Sequence, residues 1–418
     1  MIRAMKDSGI EWIGEIPHTW EVKRHKYVMY KIKEICPKYN GENIISLTMN
    51  GVIIRDLDNP KGKMPVTFDG YQKVYCGNLL LCLFDIDVTP RCVGLIQNDG
   101  LTSPAYSQFV IKDDNSAKYY DYLLRMIDDK KAFLHLSKNL RSSLTETDFG
   151  LIKTIVPSLT EQAKIAEFLD EKCKEIDNII ENTKVTIEEY KKYKYAIVAD
   201  VVTKGLSSNV VFKNSGVDWM GSIPKSWDVI KLKFLFSIKK VIANKLGYDI
   251  LSVTQSGLKI KDISNNEGQI SSDYSKYQIV EPKDFVMNHM DLLTGWVDCS
   301  SFLGVTSPDY RVFKLDDESK ALREYFLYIF QLCYKHRIFY GLGQGVSNMG
   351  RWRLQTDKFI NFEVPLPSIE EQKEIVEFLD IKCSEIDTLI SKKQHIVKEL
   401  ESYKKSLIYE CVTGKVEV

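Results

Sequence analysis

No run of about 20 apolar residues occurs in the sequence, so no segment reads as a helix that crosses a bilayer. The start is polar and charged, without the apolar stretch of a secretory signal. Neither sign of charge is in excess: 57 basic and 57 acidic residues cancel. That removes net charge as an argument for nucleic acid but leaves a local basic face open. There is no Cys-x-x-Cys pair. The nine cysteines are odd in number and scattered, and the six histidines do not join them at metal-ligand spacing. Reduced thiols are therefore expected rather than a disulfide framework or a metal site. No G-x-x-x-x-G-K-[ST] phosphate loop is present either. The expectation is a cytoplasmic protein with no membrane segment and no metal.

What the sequence has is duplication. "SGIEWIGEIPHTWEV" (8–22) returns as "SGVDWMGSIPKSWDV" (215–229). "SLTMNGVIIRD" (46–56) returns as "SVTQSGLKIKD" (252–262), "TSPAY" (102–106) as "TSPDY" (306–310), and "RSSL" (141–144) as "RWRL" (351–354). "PSLTEQAKIAEFLDEKCKEID" (157–177) returns as "PSIEEQKEIVEFLDIKCSEID" (367–387). The order is kept and the offset stays between 204 and 210, so one large module is used twice rather than a solenoid of short units. A length of 418 residues with 44% hydrophobic residues suits two or three domains with real cores.

Each module has two textures. Its first part is mixed: short apolar runs such as 78–84, 107–112 and 310–315 predict strands, and 118–136 and 322–340 predict matching helices. The second part is a helix with an apolar seam in steps of three and four. It runs through Ile165, Leu169, Cys173, Ile176, Ile180, Thr183, Ile187, Tyr190 and Ile197 in one copy. In the other it runs through Ile375, Leu379, Cys383, Ile386, Ile390, Val397, Leu400, Leu407 and Cys411. Thr160 is a candidate N-cap, with Glu161 in the first turn. Each helix should hold roughly 35–40 residues, about 50–60 Å at 1.5 Å per residue.

Such a narrow stripe needs a partner, and the other copy is the economical one. Connectivity makes that pair antiparallel. The expected fold is α+β: two pseudo-symmetric globular domains separated by two long antiparallel helices that form a coiled-coil stalk. The boundaries are 1–156, 157–205, 206–366 and 367–418. The pseudo-symmetry further predicts that the opening phrase around Trp12 docks beside the helix end at Thr413, as Trp219 docks near Thr203. Cys173 and Cys383 should then lie far apart. Two similar heads on a fixed frame suit DNA with two half-sites. Their divergence between the shared phrases implies an asymmetric, bipartite sequence.

The phrases "SGxxWxGxIPxxWxV" and "PSxxEQxxIxxFLDxKCxEID", each present twice, resemble the specificity subunits of type I restriction–modification systems. The resemblance covers essentially the whole chain. It implies that the two heads are target-recognition domains, each reading half of a split DNA sequence. It implies that the helices set the spacer and hold two modification subunits, which carry S-adenosylmethionine and methylate adenine. Restriction subunits would join to form an ATP-dependent nuclease, so S-adenosylmethionine, ATP and Mg belong to the partners and this chain holds no cofactor. No Asn-Pro-Pro-Tyr motif occurs, in keeping with a chain that is not an enzyme. Two rivals are a fused nuclease or methyltransferase and a protein-binding scaffold that never touches DNA.

The candidate DNA-binding residues are Lys138, Asn139, Arg141 and Ser142 in the first head and Gln344, Asn348, Arg351 and Arg353 in the second. Arginine reading guanine and Asn or Gln reading adenine are favoured major-groove pairings. The alternative for these is a solvated basic turn, or an arginine paired with a carboxylate of its own domain, and for the Gly-rich stretch 341–350 a plain loop. "TMNG" and "TQSG" form a second pair of polar loops. "TSPAY" and "TSPDY" match too well to read different sequences, so a shared turn, or a shared phosphate contact by Ser103 and Ser307, is expected. The same argument makes Trp12, Trp20, Trp219 and Trp227 packing residues. Ile165, Leu169, Ile176, Ile180, Ile375, Leu379, Ile386 and Ile390 are the stalk and partner-binding positions.

Overall fold

The computed structural model describes the chain except for residues 1–2, 50, 61, 63, 90, 137–141, 263–272 and 346–351. It divides into two compact units. Unit 1 comprises Met1–Lys184 and His395–Val418, and unit 2 comprises Val185–Gln394.

Unit 1 is built on a four-stranded antiparallel sheet of β1 (Met29–Ile32), β2 (Leu79–Leu81), β3 (Val93–Leu95) and β4 (Ser107–Ile111), in the order β1-β4-β2-β3. Helix α1 (Ala117–Asp129) follows and buries Tyr119, Tyr120, Leu123, Leu124 and Ile127. Unit 2 repeats the plan with β5 (Phe236–Lys239), β6 (Phe285–Met287), β7 (Val297–Cys299) and β8 (Arg311–Leu315), in the order β5-β8-β6-β7. Two long helices complete the set. Helix α2 (Leu159–Lys204) has 46 residues and helix α4 (Ile369–Val412) has 44; between them, α3 (Arg323–Lys335) is the counterpart of α1.

The expected α+β class holds, but the helices differ from expectation in three ways. First, both long helices exceed the 35–40 residues foreseen, and their cap is Ser158 rather than Thr160. Ser158 accepts from Glu161 N while Glu161 Oε2 accepts from Ser158 N, both at 3.3 Å, a reciprocal capping box. Ser368 caps α4 by accepting from Glu371 N at 3.2 Å. Second, 118–136 and 322–340 are not single helices. Each breaks after α1 or α3 at a basic residue in the left-handed region, Lys131 (φ 55°) and Arg337 (φ 56°). Third, the seam in α2 slips by one residue near its end. Ile197 is only half-buried, while Val198, Val201 and Val202 are buried among the side chains of unit 2.

In each unit the start of one long helix packs antiparallel against the end of the other. In unit 1, Ile165, Leu169, Ile176 and Ile180 share a core with Val397, Leu407, Cys411 and Val412. Asp177 meets Lys404 at 2.6 Å there, and Lys184 meets Glu401 at 3.6 Å. In unit 2, Ile375 and Leu379 pack with Val198 and Val202, and Ile386 and Ile390 with Ile187. Asp387 meets Lys194 at 2.6 Å. Exposed ion pairs of this kind contribute about 0.2–1 kcal/mol each, so they fix register while apolar burial supplies the stability. Cys173 faces the Cys411 end of α4, as the antiparallel reading requires, and all nine cysteines are free.

Two glutamines identical in the repeated phrase anchor each helix start. Gln162, fully buried, accepts from Ser116 N at 2.7 Å and donates to Pro157 O at 2.9 Å. Gln372 accepts from Leu322 N at 2.7 Å and donates to Pro367 O at 3.0 Å. The start of each long helix is thereby locked to the loop that opens α1 or α3.

The opening phrase docks on a helix end in both units. Lys415 Nζ donates to Ile13 O (3.2 Å) and Glu15 O (2.9 Å), and Tyr409 Oη donates to Ile13 O (3.0 Å). Within the phrase, the rings of Trp20 and Trp227 lie against the glycines that end the helices. A Cβ on Gly414 would lie 2.7 Å from Trp20 Cη2, and one on Gly205 3.1 Å from Trp227 Cζ2. Both glycines have positive φ, 70° and 75°, and close the helix in the left-handed conformation. Trp219 instead stacks on Phe362 (5.6 Å between ring centroids) and donates to Glu363 O.

Unit 1 also contains an acid-sensitive residue. His25 is fully buried, its Nδ1 lies 3.2 Å from Phe149 O, and its Nε2 has no hydrogen-bond partner among the described residues. Burial pulls its pKa down from 6.5 to about 4. A depressed histidine contributes stability above pH 6.5 that is lost as pH falls towards 4. Between pH 7 and 4.5 this group alone should remove about 2 kcal/mol from unit 1. Denaturant titrations at the two pH values should show His25→Gln losing less by that amount.

Candidate nucleic-acid interface

The stem of the Gly-rich loop in unit 2 is a short antiparallel bridge. Gln344 N donates to Arg353 O at 3.0 Å, and Arg353 N donates to Gln344 O at 3.1 Å. Gln355 Nε2 donates to Gln344 Oε1 at 2.6 Å. Both Gln344 and Arg353 are exposed, so two of the residues foreseen as DNA-facing stand side by side at one stem. Asn348 and Arg351 lie outside the described residues, as do Lys138, Asn139 and Arg141 of the first head. Ser142 is described; it is half-buried and left-handed, with φ 46°.

The stems hang on the same scaffold in both units. Leu144 N donates to Leu83 O (2.8 Å) and Leu354 N to His289 O (2.9 Å). Ile86 N donates to Ser142 O (3.1 Å) and Leu292 N to Trp352 O (3.2 Å). Leu144 and Leu354, the shared residues of "RSSL" and "RWRL", are both buried. The residues between these anchors differ. Trp352 is accommodated by glycine: a Cβ on Gly345 would meet its ring at 3.0 Å, and one on Gly343 would lie 2.8 Å from Leu292. Part of the glycine content of this loop is thus explained by packing.

The base of the unit 2 stem is positively charged. Burial, with added repulsion from the buried Arg311 and from Arg353, pulls the pKa of His289 down to about 3, so this histidine is neutral near pH 7. Burial is likewise the main reason that the Arg311 pKa falls to about 10.

The second pair of polar loops forms two-residue hairpins. Ile45–Thr48 pairs with Gly51–Ile54, and Leu251–Thr254 with Gly257–Ile260. Thr48 and Thr254 close them by donating to Gly51 O (3.0 Å) and Gly257 O (2.8 Å). Behind the unit 2 hairpin, a cavity of about 1080 Å³ runs between Gln255–Gly257, Trp296, α3 and the long-helix pair. In unit 1, Arg125, ion-paired with Asp121 at 2.7 Å, comes within 3.8 Å of the Cβ position of Gly51. The two hairpins are therefore backed differently.

The "TSPxY" segments are turns held from below. Buried Gln72 donates to Ser103 O and Tyr106 O at 2.8 and 2.7 Å, and Gln278 donates to Ser307 O and Tyr310 O at 2.7 and 2.6 Å. Ser103 and Ser307 hydroxyls accept from Ala105 N and Asp309 N within the turn. The shared-turn expectation therefore has a physical basis. The two glutamines escaped the sequence reading because they sit in short strands between divergent loops.

The stalk positions Ile165, Leu169, Ile176, Ile180, Ile375, Leu379, Ile386 and Ile390 are all buried within the chain itself. Among the described residues no three His, Cys, Asp or Glu side chains converge as a metal site, and no helix is long and apolar enough to cross a membrane.

Residues 224–401 match the profile of the type I restriction modification DNA specificity domain. The putative type I restriction enzyme MjaX specificity subunit of Methanocaldococcus jannaschii is 24% identical over 431 residues, covering 97% of this chain and 96% of that protein. The MjaVIII specificity subunit of the same organism is 27% identical over 333 residues, 75% of this chain and 74% of that one. Among solved structures, a chain from work on complex assembly and conformational transition of the type I R-M system superposes with TM-score 0.68 at 13% identity, over 96% of this chain and 99% of its own. The HsdS subunit from Thermoanaerobacter tengcongensis superposes with TM-score 0.53 at 14% identity, over 96% and 98%. These last two are likenesses of fold.

Proposed function

The chain belongs to the family of type I restriction–modification DNA specificity subunits, a non-catalytic family, and from that premise we propose that it reads a bipartite, asymmetric DNA sequence. Residues 1–156 form one target-recognition domain and 206–366 the other. Residues 157–205 and 367–418 are the helices that set the spacing and hold two modification subunits. These partners carry S-adenosylmethionine and methylate adenine; restriction subunits add the ATP- and Mg-dependent nuclease. The assembly works in the cytoplasm.

The observation that carries this reading is the pair of loop stems on one scaffold with different side chains. Ser142 and Ser143 stand in unit 1 where Trp352 and Arg353 stand in unit 2. A frame kept constant beneath varied polar tips is what two readers of different half-sites require.

Changing Arg351 and Arg353 together to Ala should weaken DNA binding by about 1–3 kcal/mol for a base-reading arginine. It should relax the methylated motif in one half-site only and leave assembly with the modification subunits intact. The measurement is the motif methylated in cells carrying the complex, with filter binding at two salt concentrations. An unchanged motif and affinity would remove this loop from the interface. Wild-type binding without a salt slope would instead favour a protein scaffold, because phosphate contacts release counterions.

A further inference from the structure

Arg311 lies in β8, next to the centre of the unit 2 sheet, and is only 4% exposed. A buried guanidinium is ordinarily paired with a carboxylate. Here, among the described residues, it is not. Nη2 donates to Leu354 O at 3.0 Å and to Thr356 Oγ1 at 3.4 Å. Nη1 approaches the Met287 sulfur at 3.8 Å, and the guanidinium lies 4.6 Å from the ring centre of Phe359. The repulsion of another cation, Arg353, adds to the cost of its burial. A side chain held at such electrostatic cost, without a counter-ion, calls for a reason beyond packing.

Its contacts supply one. Leu354 and Thr356 flank Gln355, which holds Gln344, and Leu354 directly follows Arg353. Arg311 therefore grips, from inside the core, the segment 354–356, which directly follows the exposed Arg353 and carries the Gln355 that holds the exposed Gln344. The "TSPAY"/"TSPDY" alignment places Ser107 at the equivalent position of unit 1. Serine is too short to reach across in the same way, so the grip belongs to one head.

We propose that Arg311 is a positioning residue for the second head: it fixes the Arg353–Thr356 stem, and so the placement of Gln344 and Arg353, and governs recognition of the second half-site alone. This rests on the DNA-reading function proposed above. Arg311 does not itself touch DNA. It acts through the Leu354 carbonyl and the Thr356 hydroxyl, and its charge strengthens both hydrogen bonds.

The test uses the full chain with its modification subunits and a duplex bearing the motif that the wild-type complex methylates. Three variants are compared: Arg311→Ser, which copies unit 1; Arg311→Lys, which retains a charged donor; and Thr356→Val, which removes one acceptor and leaves the arginine in place. Arg311→Ser should lose about tenfold or more in affinity for the intact duplex, the scale of one lost charge-assisted hydrogen bond. It should also discriminate less at base pairs of the second half-site, with first half-site discrimination unchanged. Arg311→Lys should recover most of the loss, and Thr356→Val should show a smaller loss confined to the same half-site. Equal loss of discrimination in both half-sites, or wild-type discrimination in Arg311→Ser, overturns the proposal. If Arg311→Ser does not fold, Thr356→Val and Arg311→Lys decide: second half-site discrimination that matches wild type in both overturns it. Failure of the wild-type complex to bind any bipartite duplex would instead sink the DNA-reading function.

Discussion

Trp227→Ala should destabilise unit 2 by about 3–5 kcal/mol, the usual cost of emptying a buried aromatic site. Trp227 is fully buried. Its indole N–H donates to Glu371 in the first turn of α4, at 3.2 Å. Its ring lies against Gly205 at the end of α2. One side chain thus joins the repeated phrase to the beginning of one long helix and the end of the other. Trp20 occupies the equivalent place in unit 1, donating to Glu161 at 3.3 Å and lying against Gly414. Trp227→Phe should cost less, since it keeps most of the apolar contact and gives up the hydrogen bond. Gly205→Val should approach the alanine variant, because it adds a β-branched side chain at φ 75° and drives it into the indole. Urea titration of the three variants measures these costs. A loss below about 1 kcal/mol for Trp227→Ala would show that the tryptophan is not the clasp described here.

The sequence made much of this organisation legible because the duplication is an internal control. A tryptophan identical in two copies that diverge around it was expected to be a packing residue, and Trp20 and Trp227 are buried as that logic requires. Which tryptophan meets a helix end was not legible, since Trp12 and Trp20 are equally duplicated and only geometry separates them. The helix breaks at Lys131 and Arg337 were hidden for another reason. The apolar period runs on through them, and a left-handed lysine or arginine carries no glycine or proline mark. Ser158 was passed over for Thr160 because both are good caps. The decisive signal was the glutamate three residues after Ser158, which completes the capping box. Arg311 was masked by its strand, where one charged residue among apolar neighbours reads as an outward-facing position. The candidate site was legible as a pair of loops. Its support from His289 and Arg311 was not, because those residues are distant from the loop in sequence and meet its stem only in the fold.

Removing residues 395–418 should unfold unit 1, although unit 1 begins at the other end of the chain. The segment contributes Val397, Leu407, Cys411 and Val412 to the unit 1 core, each at most 9% exposed. At about 1.5–3 kcal/mol for each buried aliphatic side chain, the three valine and leucine residues alone account for a large share of the 5–15 kcal/mol that typically holds a domain together. The loss does not stop there. Tyr119 Oη, deep in the core, donates to Val412 O at 2.8 Å and would be left without its partner. Lys130 would lose the Tyr409 ring, whose centre lies 3.6 Å from its Nζ. The opening phrase would lose the contacts of Tyr409 and Lys415 with Ile13 and Glu15. The seam residues Ile165, Leu169, Ile176 and Ile180 would face water. Unit 2 uses none of residues 395–418 in its core, so it should survive. Limited proteolysis of a 1–394 chain should digest 1–184 and spare most of 185–394. Adding a 395–418 peptide in trans should restore protection of 1–184, because the core it completes is otherwise intact. A 1–394 chain that protects both units equally would mean that the end of α4 only decorates unit 1. The matched contacts of Gly414 with Trp20 and Gly205 with Trp227 would then have to be read as incidental rather than as the way each unit is closed.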